Sequence, residues 1–336
     1  MSKKLTYMVL DTETATLPFA NEIANNDPEK KKRIAIARPL VYDIGWTITN
    51  RQGEILDSKQ FLIAETFAVP SVFSTAYYAE KRPRYLDMLE RGETIIKPWN
   101  EVMAIFMNDL HTVNAVGAFN SMFDFKKAIP FTELYIRKLY SKDYNNWEKM
   151  QRDLCTKIAN EPYRKQDEKS FDGDFFNFRG ENFPLFDLWG LATSHLLNNT
   201  SYKTECLNHG LLTASGTFFK TSAETTYQYL CKKYDFIESH TALDDAMIET
   251  YILSRIARRH AVSIGIKCFP FRDLGDTVDF AMRRKVPNST ECEIVYSAIA
   301  SYVDAKQEAG QESNYLNGLI HKLQRLASYA GMECSY

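Results

Sequence analysis

The chain has 336 residues, 45% of them hydrophobic, and a net charge of −2. Length and composition fit one enlarged globular domain, or a domain with an appendage. The near-neutral balance excludes a global basic field for nucleic acid, so such a partner must be held by local basic patches or by metal.

Residues 5–10 read as a buried strand ending at Asp11. Residues 18–38, with Asp27-Pro28 and the basic run Lys30-Lys31-Lys32-Arg33, form a loop or short helix near that strand end. Residues 40–49 and 54–63 are two further strands, joined by the hairpin signal Asn50-Arg51-Gln52-Gly53. A helix is expected over 99–110, with Val102, Ile105, Phe106 and Leu110 on one side, then a strand over 113–119 and a helix from Ser121. Residues 141–180 are polar and resemble an insertion rather than core.

A short fifth strand is expected at 184–187, with a helix over 188–197. Thr221-Ser222-Ala223-Glu224 is a capping box opening a helix that ends near Tyr234. The helix after His240 is expected to turn Leu243, Met247, Tyr251 and Leu253 inward. Beyond about 262, amphipathic helices over 290–305 and 313–330 read as a helical hairpin packed on the main domain.

The six cysteines are scattered without a CxxC pair, which argues against a zinc site, and reduced thiols are expected. The first apolar run meets Asp11 too early for a secretory signal. No stretch approaches the ~18 apolar residues of a membrane span. A cytoplasmic enzyme with no membrane segment is the expectation.

Three stretches carry chemistry. Asp11 and Glu13 stand two apart in a strand and share a face, and like charges that close resist burial unless a cation neutralises them. Oxygen ligands select a hard ion, Mg²⁺ or Mn²⁺. Asp124 follows Asn120 at a strand-to-helix junction, where Asn120 reads as a helix cap more readily than as a ligand contact. His240 stands just before a helix and Asp245 lies about one and a half turns into it. The neighbouring Asp244 points about 100° away and reads as favourable charge near the helix N-terminus.

In order, Asp11–Thr14 (D-x-E-T), Asn120–Asp124 (N-x-x-F-D) and His240–Asp245 (H-x-A-x-x-D) resemble the three exonuclease motifs of the DEDDh branch of DnaQ-like 3′–5′ exonucleases. The likeness covers roughly 5–256, and the glycine common after the first motif is replaced here. It implies an α/β, RNase H-like five-stranded mixed sheet flanked by helices, over residues 1–262. Insertions would lie at about 18–38 and 141–180, and 263–336 would form the C-terminal helical extension.

It also implies two Mg²⁺ or Mn²⁺ ions held by Asp11, Glu13, Asp124 and Asp245, with His240 as general base. Thr12, Thr14, Asn120 and Phe123 would contact substrate. Leu17 and Phe19 are either base-stacking wedges or core, and Lys30–Arg33 either tracks phosphates or is a solvated face. The activity so implied is stepwise hydrolysis from the 3′ end of single-stranded DNA to 5′-mononucleotides. The alternatives are an exoribonuclease trimming RNA ends, or a proofreading or replication-complex subunit recruited to a polymerase partner through its helical tail.

Overall fold

The computed structural model describes residues 5–30, 39–141, 146–160, 175–197, 199–213, 216, 218–258, 262, 289–308, 319–320 and 323–324. The chain divides into two compact units, Met1–Trp189 with Ile237–Cys268, and Gly190–Phe236 with Phe269–Tyr336. The expected boundary near 262 therefore separates only part of the second unit, because Gly190–Phe236 also belongs to it.

The first unit is α/β, built on a seven-stranded mixed sheet of order β4-β3-β2-β1-β5-β7-β6. Its strands are β1 (Thr6–Ala15), β2 (Leu40–Asn50), β3 (Ile55–Ile63), β4 (Ile95–Lys97), β5 (Ala115–Ala118), β6 (Phe175–Phe178) and β7 (Glu181–Asp187). The expected β1–β2–β3 meander is present and antiparallel, while β5 joins β1 in parallel and β7 joins β5 in parallel. Five strands were expected. The two additional ones, β4 and β6, are edge strands of three and four residues, too short to show a period.

Helices of this unit are α1 (Ala20–Ala24), α2 (Ala64–Phe67), α3 (Pro70–Phe73), α4 (Arg82–Glu90), α5 (Trp99–Leu110), α6 (Ser121–Phe123), α7 (Ile129–Leu139) and α8 (Trp147–Asn160). A π-helical turn, Asp124–Ala128, joins α6 to α7. After α9 (Leu188–Leu196), α10 (Thr200–Asn208) and α11 (Ala223–Cys231), the chain returns as α12 (Ala242–Ala257).

Every residue of β2 is buried, so both faces of the sheet are covered there. Alternation sends even-numbered residues one way and odd-numbered residues the other. Tyr42 meets Phe73 and Tyr85 edge-on, and Trp46 meets Phe106 of α5, giving an aromatic layer. On the opposite face lies α12. Thr47 and Thr250 share a hydrogen bond of 2.5 Å, and the backbone amide of Ala242 donates to Asp43 Oδ2 at 2.9 Å. Gly45 makes this approach possible, since a Cβ there would lie 2.4 Å from the Leu243 amide nitrogen.

The inward face expected for α12 is corrected. Leu253 is buried as expected, but Leu243 and Tyr251 are half-buried and Met247 is 38% exposed, while Ala242, Asp245, Ala246, Glu249, Ile252 and Ile256 are buried. A helix seated against glycine and threonine needs small residues at the contact, and its buried stripe also carries two acids. The polar stretch 141–180 is likewise not all peripheral. Met150, Leu154, Cys155 and Ile158 of α8 join the main core at helical spacing.

In the second unit α11 is present but capped one residue later than the box places it. Ser222, rather than Thr221, is the cap, and its hydroxyl accepts from the Thr225 amide at 3.2 Å. The helix stops at Cys231, before Tyr234, because Lys232 turns left-handed (φ 57). A helix α13 (Ser289–Glu308) stands where 290–305 was expected and packs on α10. The expected helix over 313–330 falls mostly outside the described residues. Among the described residues, no helix is long and apolar enough to cross a membrane.

Candidate active site

β1 runs four residues past the expected end at Asp11, so Asp11 and Glu13 lie inside paired strand. Asp11 faces Gly45 and Glu13 faces Asp43 across β2, and the register shifts just after Glu13. Cross-strand partners share a face, so both carboxylates stand on the side occupied by α12. That helix presents Asp245 and, one turn on, Glu249 from its buried stripe.

A fifth acid arrives from the other side of β1. Parallel pairing with β5 covers only Tyr7–Val9, and past it the chain leaves β5 through a left-handed Asn120 (φ 76) into α6 and the π turn. This puts Asp124, 2% exposed, within 2.5 Å of the Thr12 hydroxyl, which donates to Oδ1. Asn120 occupies the cap position but makes no side-chain cap bond. The Ser121 amide donates to Asp187 Oδ1 at 3.2 Å instead.

His240 closes the group. It too is left-handed (φ 53), a conformation that Asn and His enter more readily than most residues. Asp244 Oδ2 accepts from the hydroxyls of Ser239 and Thr241, both at 2.9 Å, which braces the turn on either side of the histidine. Its ring stacks on Tyr78, with centroids 4.2 Å apart and planes 16° from parallel, and Nδ1 stands 3.9 Å from Asp245 Oδ2. The imidazole is therefore held on one face. Glu13, His240 and Asp245 each offer a ligand atom, all within 4.8 Å of one another, an arrangement able to hold a cation.

Electrostatics follow from crowding acids under partial burial. Burial, then Glu249, Asp124, Asp245 and Glu13, push the Asp11 carboxyl well above the usual range. Glu13 is pushed up to about 9 by burial and then by Asp245 and Asp43, with Lys81 opposing. Asp245 rises to about 8 by burial, Glu238 and Asp244. Asp124 rises to about 7 by burial, held down by the bond from Thr12. Asp245 Oδ1 is buried with no hydrogen-bond partner. A buried carboxylate oxygen left bare beside like charges is costly, and a bound cation relieves both penalties.

Two acids went unread in the sequence. Glu249 accepts from the Phe119 amide at 3.0 Å, tying α12 to the start of the Asn120 turn. Its spacing of four from Asp245 was the available signal. Asp43 accepts from Gln60 and from Ala242, and burial pushes it up to about 6. An acid in the middle of an apolar strand was its signal.

Among the expected substrate contacts, Thr12 is buried against Asp124, Thr14 is half-buried, and Phe123 packs partly on the core. Of the two readings open for Leu17, core is the one the structure supports and the wedge is corrected: it has no exposure and belongs to the core. Phe19 is half-buried under the Arg152 guanidinium, 4.0 Å from its ring. Lys30 approaches Asp27 at 4.0 Å, and the remainder of the basic run lies outside the described residues.

No family model, curated protein or solved structure matches this chain. The site must be read from its own geometry.

Proposed function

We propose that this chain is a metal-dependent 3′–5′ exonuclease of the DEDDh, DnaQ-like type, acting on single-stranded DNA to release 5′-mononucleotides. The observation that carries this reading is the gathering of Asp11, Glu13, Asp124, Asp245 and His240, from β1, the π turn and the start of α12, into one cluster of mutually repelling acids. The inner strands β3-β2-β1-β5-β7 agree with an RNase H-like sheet of five, with β4 and β6 added at its edges. Free thiols at Cys155, Cys206 and Cys231 agree with a cytoplasmic setting.

The donor set is carboxylate oxygen with one imidazole, and it suits a hard divalent ion, Mg²⁺ or Mn²⁺. Asp11, Glu13 and Asp245 would hold one ion, and Asp11 with Asp124 a second. When bound, such a pair supplies Lewis acidity at the scissile phosphate and a lowered pKa for the attacking water. His240 takes the proton of that water as general base, its ring oriented by Tyr78 and its turn by Asp244. Its Nδ1 stands 3.9 Å from Asp245 Oδ2, which keeps the ring beside the acids. Thr12 fixes Asp124, so the acids keep their spacing as the terminal phosphodiester opens. The leaving 3′-oxygen stays with the shortened strand.

End-labelled single-stranded DNA, duplex DNA and RNA incubated with Mg²⁺, Mn²⁺ or EDTA test the proposal. A ladder retreating one nucleotide at a time from the 3′ end of single-stranded DNA, abolished by EDTA, is expected. A preference for RNA would reassign the polymer, and intact substrates in every tube would overturn the hydrolase reading.

A further inference from the structure

The residues that sequence offered for gripping the last bases are occupied, since Leu17 is core and Phe19 lies under Arg152. The aromatic surface beside the acidic cluster lies elsewhere. From His240 the stack continues to Tyr78, and Tyr77 meets Tyr78 edge-on, with centroids 4.8 Å apart and an interplanar angle of 88°. Tyr77 is 84% exposed, so it does no core packing, although its neighbour is half-buried at the catalytic histidine.

Cations stand at the neighbouring Tyr78 and against the His240 turn. Lys81 Nζ lies 4.3 Å over the Tyr78 ring and donates to the Ser239 carbonyl at 2.8 Å. Arg84 donates to Asp244 at 2.8 Å, on the same turn. Residues 77–84 hold three cations (Lys81, Arg82, Arg84) against one acid (Glu80), in a chain of net charge −2. A polyanion ending at an acidic cluster needs compensation beside it, and here a local positive rim stands next to the acids.

The geometry points to Tyr77 as a stacking platform for a base of a single-stranded polynucleotide, with Lys81 and Arg84 contacting the phosphates on either side of it. The inference rests on the proposal that the acidic cluster receives a 3′ end. It adds a reason for strand preference: a paired base keeps its faces in the duplex stack, whereas an unpaired base has a face to offer. It also orders the path, with the terminal nucleotide at Asp11 and Asp245 and a neighbouring base at Tyr77.

Binding can be read apart from cleavage by fluorescence anisotropy of 5′-labelled oligo-dT and oligo-U with the full chain in EDTA. Tyr77→Ala is expected to weaken binding roughly tenfold or more, while Tyr77→Phe stays within about twofold of the unsubstituted protein. Arg84→Gln should lower the slope of log affinity against log salt by about 0.7. An oligonucleotide with one abasic position should lose affinity at the platform, and Tyr77→Ala should show no further loss with that same oligonucleotide. A Tyr77→Ala protein that binds both strands like the unsubstituted one overturns the platform, even where Mg²⁺ still yields the 3′ ladder. Tyr77-dependent binding with no degradation in any metal supports the platform and removes the hydrolase reading. Failure of the unsubstituted protein to bind either strand also overturns the platform and leaves the hydrolase reading to the cleavage assay with metal.

Discussion

The two faces of β2 sit in one strand yet are closed by opposite means. On one, Tyr42 and Trp46 lock into the rings of Phe73, Tyr85 and Phe106, and apolar burial does the work. On the other, Asp43, Gly45 and Thr47 receive α12 through a capped amide, a missing Cβ and a hydroxyl pair. The second face buries little oil at its Asp43 end and gathers acids that repel. The contrast separates the part of the sheet that holds the fold from the part where acids crowd, which we propose binds a cation.

That separation can be broken from either side. The largest effect is expected from Asp11→Ala, which should cost more than about 10⁴-fold in kcat while leaving the metal-free unfolding midpoint unchanged or raised, because one repelling charge is gone. Steady-state kinetics with chemical denaturation would check both halves. A clear loss of stability without metal would assign Asp11 to the structural side. His240→Ala should lose about 10²–10⁴-fold in kcat with metal affinity largely kept, measured by kinetics alongside calorimetric Mn²⁺ titration.

On the aromatic face, Trp46→Ala should cost about 3–5 kcal/mol of stability, read from urea unfolding, with kcat per folded molecule little changed. The smallest effect is on pH. Glu13, Asp245 and Asp124 have carboxyls raised to about 9, 8 and 7 in the folded chain. The native state therefore binds their protons more tightly than the unfolded chain does. The stability this contributes is complete below about pH 4 and is lost as pH rises through 7 to 9. In EDTA, Tm should fall between pH 6 and pH 9, and Mg²⁺ should flatten the fall. Equal slopes with and without Mg²⁺ would sharpen the comparison against a cation at these acids.

Much of this arrangement was legible in the sequence, for stated reasons. Asp11 and Glu13 announce a shared face because strands alternate, and Asn50–Gly53 announces its hairpin because few residues turn so tightly. The α12 stripe was misread because periodicity looks for oil, and here the buried side begins as alanine and acid, with isoleucine and leucine only from Ile248 on. Met247 and Tyr251 marked the apolar period, yet Met247 faces water. Glu249 and Asp43 were visible as letters but silent as partners, since their roles depend on Phe119 and Ala242, more than a hundred residues away along the chain. Tyr77 differs from any other tyrosine only by what lies around it.

The π turn at Asp124–Ala128 has a consequence for mutation by length. Such a turn holds one residue more than a regular helix needs. Deleting Lys126 or Lys127 would let the segment close to an ordinary spiral with Asp124 in nearly the same phase relative to α7. The same deletion inside Ile129–Leu139, a regular helix, would rotate one side against the other by about 100°. A gene shortened by a single codon is thus expected to be tolerated at the widened turn and not in the helix that follows it.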